Sequence, residues 1–327
     1  MERISLSNAV FEGNSNAYLL DGRETVLIDT GDWMDTTRNQ LRSGLADHGV
    51  DFADVDHVFL THWHPDHTGL AGEIQDAGGA TVHAHAADAP LVRGDADAQA
   101  ALEDHYKRYL DAWGVPAADQ DELQRSFTAH ERQGATPAVT PFEDGDTFAV
   151  GSHDLRVVHA PGHAAGLCLF EFDGGRQMVA GDALLPVYTP NVGGADVRVD
   201  QPLEKYLRTL QAVADAGYER AWPGHRDPID DPTERAEEIV HHHEERAYRV
   251  LDALQRRGPC DVWTVSAELF GDLESIHILH GPGESYAHLD HLVRAGAVVE
   301  TDGEYRPADG VAEKLHERSD DRWPLAF

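Results

Sequence analysis

Lysine is scarce in this chain. Lys107, Lys205 and Lys314 are the only lysines in 327 residues, and the other basic residues are arginines. There are two cysteines, Cys168 and Cys260, far apart in the sequence. Two isolated thiols make neither a disulfide framework nor a cysteine-built metal site, and they suit a reducing, cytoplasmic compartment. No apolar run approaches the roughly 18 to 20 residues that span a bilayer, so a membrane partner is not expected. Met1 to Val10 shows no basic stretch followed by an apolar one, and no signal peptide is read there.

Positive charge of any kind is in short supply. Lys and Arg number 26 against 59 Asp and Glu, a formal net charge of −33, and the acid runs along the whole chain rather than in a tail. Such a surface suits a protein kept soluble in concentrated salt, where charge repulsion is screened. The composition resembles that of a salt-accumulating halophile's protein; the plainer alternative is an ordinary acidic cytosolic enzyme. At low salt this field repels phosphate backbones, so a small-molecule substrate is expected rather than nucleic acid. The oligomeric state is not legible.

Along the chain, Ala17 to Leu20 and Thr25 to Ile28 read as strands around the turn Asp21-Gly22-Arg23. A helix fits Asp35 to His48, with Leu41 and Leu45 four apart. The strand His57 to Leu60 runs into a histidine-rich cluster. A helix over Gly69 to Ala77 and a strand over Thr81 to Ala84 follow. Residues 86–133 are polar, Ala-rich and helical in pattern, an insertion read either as packing outside the core or as a lid over a site. Strands return at Leu155 to Val158, Leu167 to Phe172, Gln177 to Ala180 and Arg220 to Trp222, with a helix over Leu203 to Asp215. From about residue 233 the order is helix (to Arg257), helix (Thr264 to Phe270), helix (Ser285 to Ala295) and a hairpin around Asp302-Gly303. That is the order of a winged-helix module. The expected domains are 1–232, 233–310 and a tail, 311–327.

The chemistry lies at strand ends. His62, His64, Asp66 and His67 crowd into Thr61-His62-Trp63-His64-Pro65-Asp66-His67. His163 follows Pro161-Gly162, Asp182 follows Ala180-Gly181, and His225 follows Pro223-Gly224. Four strands thus deliver imidazoles and carboxylates to loops at one sheet edge. Both groups are good ligands for zinc and similar ions. Seven are too many for one tetrahedral ion but suit two. A close ion pair can hold a hydroxide nucleophile between them at neutral pH. A lone His-x-His carries little information; four ligand-type residues in six positions, with the later Gly-flanked turns, carry much more.

On these residues the chain resembles the metallo-β-lactamase superfamily over roughly residues 1–230. Its plan is similar to glyoxalase II-like hydrolases and to the β-lactamase-like-protein-2 type, which adds a C-terminal winged helix. The resemblance implies an α/β fold: an αββα four-layer sandwich with a helical insertion and that C-terminal domain. It implies two divalent ions, zinc first and iron or manganese as alternatives. His62, His64 and His163 would hold the first, Asp66, His67 and His225 the second, with Asp182 bridging. Asp66 and Asp182 would be the catalytic carboxylates, and Asp29, in Leu27-Ile28-Asp29-Thr30-Gly31, would support the ligands; by itself Asp29 also reads as a turn cap. Antibiotic-cleaving members often carry Cys where Asp182 stands, which argues against β-lactam cleavage. Flavo-diiron reductases carry Glu at the position of His64, which argues against that branch.

His241-His242-His243 points around a helix rather than at one ion and reads mainly as a solvated face. His242 and Arg246, at i and i+4, share a face and match a His-x3-Arg pattern of the winged-helix members; they are candidate substrate contacts. The helix over Ser285 to Ala295, with Glu284 just before it, carries Asp290 and one arginine, Arg294, which is poor equipment for reading a DNA groove. The leading expectation is hydrolysis of an ester, thioester or lactone. An endoribonuclease or phosphodiesterase is the alternative, and a metal-binding winged-helix regulator the second.

Overall fold

The computed structural model describes residues 1–8, 13–20, 22–129, 135–150, 153–316 and 324–325. Asp21 of the expected first turn, the last residues of the expected insertion, and 317–323 and 326–327 of the tail lie outside them. Two compact units emerge. One comprises Met1–Ala100, Arg132–Pro190 and Thr209–Ala236; the other Ala101–Glu131, Asn191–Arg208 and Glu237–Phe327.

The first unit is built on two sheets. The first sheet has the order β1 (Glu2–Leu6), β2 (Ser15–Leu20), β3 (Val26–Ile28), β4 (His57–Phe59), β5 (Thr81–His85), β6 (Val139–Phe142). It is antiparallel as far as β3 and parallel from there. The second runs β11 (Arg220–Pro223), β10 (Gln177–Gly181), β9 (Cys168–Phe172), β8 (His153–His159), β7 (Thr147–Val150), with β10 and β11 parallel. Alternating side chains give each strand two faces. Leu19, Leu27 and Val58 turn one way, onto Leu41 and Leu45 of the helix Asp35–Ala46 and Ile74 of the helix Ala71–Gly78. Tyr18, Ile28 and Phe59 turn the other way, onto Leu155, Val157 and Phe170 of the second sheet. Thr209, in the helix Pro202–Ala216, donates its hydroxyl to the Pro161 carbonyl at 3.0 Å. The fold is the αββα sandwich.

The sequence pattern gives no strand over β1, β6 or β7, and all three are sheet edges. Edge strands are short and polar because one side faces no partner. Pro141 within β6 is tolerated for the same reason.

The second unit takes up the helix Ala96–Ala112 from Ala101 onward and the helix Ala117–Ala129. The helices Pro232–Arg257, Val262–Phe270 and His277–Arg294 follow, then the hairpin β12 (Val298–Thr301) and β13 (Glu304–Pro307). The third helix begins eight residues earlier than the sequence suggests, because Gly281-Pro282-Gly283 reads as a break and is helical. The glycines are set by packing: a Cβ on Gly283 would lie 2.2 Å from the Gly194 backbone. A second correction concerns His243. It is fully buried rather than solvated, with Nδ1 3.2 Å from His288 Nε2. Among the described residues, no helix is long and apolar enough to cross a membrane.

Candidate metal centre

All seven candidate ligands sit on loops that leave strand ends of the first unit. His62 and His64 follow β4, Asp66 and His67 open the short helix Pro65–Thr68, His163 follows β8, and Asp182 and His225 follow β10 and β11. Each loop is fixed by its own contacts. Asp29 adopts a left-handed φ of 58°, which aspartate tolerates better than most residues. Its carboxylate accepts from Thr61 N and Thr61 Oγ1, both at 2.8 Å, and lies 2.9 Å from His67 Nδ1. The Pro223-Gly224-His225 turn is tied to β2: Asn16 Nδ2 donates to Pro223 O at 2.9 Å, and Asn16 N to Gly224 O at 2.7 Å. Gly224 has no room for a side chain, since a Cβ would lie 2.2 Å from Asp182 Oδ1.

Three groups of side chains converge: His62, His64 and His163; His62, His67 and Asp182; and Asp66, His67 and His225. His62 Nε2 and His163 Nε2 lie 2.9 and 3.1 Å from His64 Nδ1. Ligand bonds of about 2.0–2.1 Å around a tetrahedral ion put nitrogens about 3.3 Å apart, so the spacing fits an ion. The Thr61 hydroxyl, donating to Asp29, accepts from His62 Nδ1 at 3.1 Å, which leaves Nε2 as a lone pair. Asp182 reaches toward both sides: Oδ2 is 3.7 Å from His163 Nε2 and 3.3 Å from His225 Nε2, and Oδ1 is 3.6 Å from His67 Nε2. The gaps to His163 and His67 are too long for hydrogen bonds. His67 Nε2 and Asp182 Oδ1 are buried and have no hydrogen bond. Buried polar atoms are ordinarily satisfied, and a cation between these two would satisfy both.

The charges answer one another. Burial opposes ionisation of Asp182, yet His225 and His67 hold its carboxyl well below the usual range. Burial likewise opposes a charge on His225, while Asp182 and Asp66 push it up to about 9. His62 is driven well down by burial and by the neighbouring imidazoles of His67 and His64.

The matched family description is the metallo-β-lactamase superfamily, over residues 10–225. The chain belongs to the metallo-β-lactamase superfamily. Within that superfamily it is similar to family protein TTHA1429 of Thermus thermophilus, at 32% identity, with 94% of this chain and 98% of that one covered and a TM-score of 0.80. It is 26% identical over 294 residues to the probable metallo-hydrolase YqjP of Bacillus subtilis, covering 88% of this chain and 90% of that one. The lactamase-like protein vrtG of Penicillium aethiopicum matches at 27% over 244 residues, 73% of this chain; the match spans 60% of that relative's length. The superfamily member described here thus carries His/Asp clusters able to hold metal.

His242 and Arg246 belong to the second unit. Arg246 donates to Glu284 Oε1 at 2.7 Å and lies 2.7 Å from His242 Nε2, and its guanidinium faces the Phe270 ring. A fourth possible cluster, His243, Glu284 and His288, also lies there. Several of its atoms are taken by other groups: His288 Nδ1 donates to the Glu284 backbone O at 2.8 Å, Glu284 Oε2 accepts from Val192 N at 3.0 Å and Oε1 from Arg246, while His243 Nε2 has no hydrogen bond.

Sequence reading missed Asn8, whose Nδ2 donates to Asp66 Oδ2 at 3.0 Å. An asparagine 58 positions from its partner carries no local signal.

Proposed function

We propose that the protein is a binuclear metallohydrolase that cleaves an ester, thioester or lactone. The observation that carries this reading is the pair His67 Nε2 and Asp182 Oδ1, buried, 3.6 Å apart and without hydrogen bonds, between two groups of converging imidazoles. His62, His64 and His163 would hold one ion and Asp66, His67 and His225 the other, with Asp182 shared; zinc suits this nitrogen–oxygen set, as do iron and manganese. Bound there, two such ions would activate water at neutral pH and polarise the carbonyl under attack. Asp29 keeps His67 and Thr61 in place. Asp66 and Asp182, held as carboxylates by their histidines, balance the cationic charge and can take up a proton from the reacting water. The acidic composition favours a small acyl substrate over RNA, the alternative, because a net charge of −33 opposes a polyanion.

The test is a panel of thioesters, lactones, aryl esters, phosphodiesters and single-stranded RNA at molar salt, with metal analysis alongside. Acyl hydrolysis should exceed RNA cleavage. RNA cleavage abolished by His64→Ala would reverse the ranking.

A further inference from the structure

Asp88 follows β5 and occupies the N-cap position of the helix Ala89–Val92, yet its side chain makes no capping hydrogen bond there. Aspartate at an N-cap ordinarily accepts from the first backbone N–H groups of its own helix. Here the carboxylate is fully buried and points elsewhere: Oδ2 accepts from Trp63 N at 3.1 Å. Trp63 is the residue between His62 and His64.

The same carboxylate meets a second metal-bearing segment. Gly166 lies three residues beyond His163, and a Cβ built on it would sit 2.4 Å from Asp88 Cγ. Gly166 is not among the glycines with positive φ, so backbone conformation does not require glycine there. Space does, and the group filling that space is the Asp88 carboxylate. Cys168 N, two residues on, donates to Thr61 O at 2.9 Å, so the two segments are also joined directly.

We infer that Asp88 is a positioning residue for the ion held by His62, His64 and His163. It braces the backbone between two of those histidines and packs against the loop that delivers the third. Asp29 does the corresponding work for Thr61 and His67. The inference rests on the metal centre proposed above. Groups that orient ligands from behind are worth about 10–100-fold in metal affinity.

The test uses Asp88→Ala, Asp88→Asn and Gly166→Ala, each titrated with zinc against a competing chelator, and with cobalt followed by its visible spectrum. The melting temperature of the metal-free protein is measured in parallel. Asp88→Ala should weaken one of the two metal equivalents by about 10–100-fold and leave the other, with the metal-free melting temperature little changed. Asp88→Asn retains an oxygen that can accept from Trp63 N and should restore most of the loss. Gly166→Ala should reproduce the Asp88→Ala defect in the native background and add little to it in the double variant. Two tight equivalents in Asp88→Ala, equal to the native chain, overturn the inference. So does a loss of both equivalents that follows a fall in metal-free melting temperature, since that is a purely structural role. A native chain that binds no metal overturns the proposed function itself, a distinct outcome.

Discussion

Asp29 Oδ2 lies 2.9 Å from His67 Nδ1, while the other nitrogen of that ring, Nε2, is 3.6 Å from Asp182. A carboxylate at Nδ1 places the ring proton there and leaves Nε2 a lone pair for an ion. Asp29→Asn is the clean probe, because asparagine tolerates the left-handed backbone that alanine resists. Metal affinity should fall about 10–100-fold, read by chelator competition. Unchanged affinity would show that the carboxylate is only a turn cap.

Asp182 reaches histidines of both groups. Purified protein should contain about two equivalents of transition metal, and Asp182→Ala should lose most of it. Elemental analysis of folded samples decides this. A native chain that is folded but near zero in metal after incubation with zinc sinks the binuclear reading.

Arg246 and Glu284 form a buried ion pair at 2.7 Å, with side chains 13% and 4% exposed. Removing one partner strands a buried charge, so Arg246→Ala should destabilise the second unit by about 3–5 kcal/mol. Urea melts measure this. The cost should shrink in the double variant with Glu284→Gln, where no charge is stranded. If Arg246 instead serves substrate alone, Arg246→Ala will change KM and leave the melt unmoved.

His288 is pushed down to about 3 by burial and by the Arg246 charge, and His243 is also driven well below its ordinary range, by burial and by His288. Both are neutral when folded, whereas the unfolded chain protonates them at about 6.5. Between these values the unfolded state binds more protons, so stability is lost as pH falls below about 6.5, by about 1.4 kcal/mol per pH unit for each histidine. His288→Gln should remove one proton from that slope. Urea melts at pH 7, 6, 5 and 4 on both proteins compare the slopes directly, and identical slopes would contradict the assignment.

A net charge of −33 leaves strong self-repulsion at low salt. The melting temperature should therefore rise steadily from millimolar to molar KCl, where the Debye length shrinks to about 3 Å. A flat profile would point to the ordinary acidic enzyme.

Much of the centre was legible in sequence because its residues are local. His62, His64, Asp66 and His67 share one loop, and glycine marks the turns before His163, Asp182 and His225. The order of the central strands and helices was legible too, since central strands are apolar on both faces, while the αββα sandwich followed from the family resemblance. The edge strands β1, β6 and β7 were not, because they are short and mostly exposed and carry little apolar pattern. Nor were Asn8 on Asp66, Asp88 on Trp63 and the burial of His243 against His288, whose partners lie far off in the chain. Sequence determined which residue types gather at the strand ends and therefore the chemistry available. Tertiary structure alone decided which atoms face one another: His67 Nε2 and Asp182 Oδ1 left without hydrogen bonds, and Asp88 turned from its own helix to the loop between two histidines. The physical reason is reach. Hydrogen bonds and ion coordination act over a few ångströms of space, and only the folded backbone brings residues scattered from 29 to 225 within that distance.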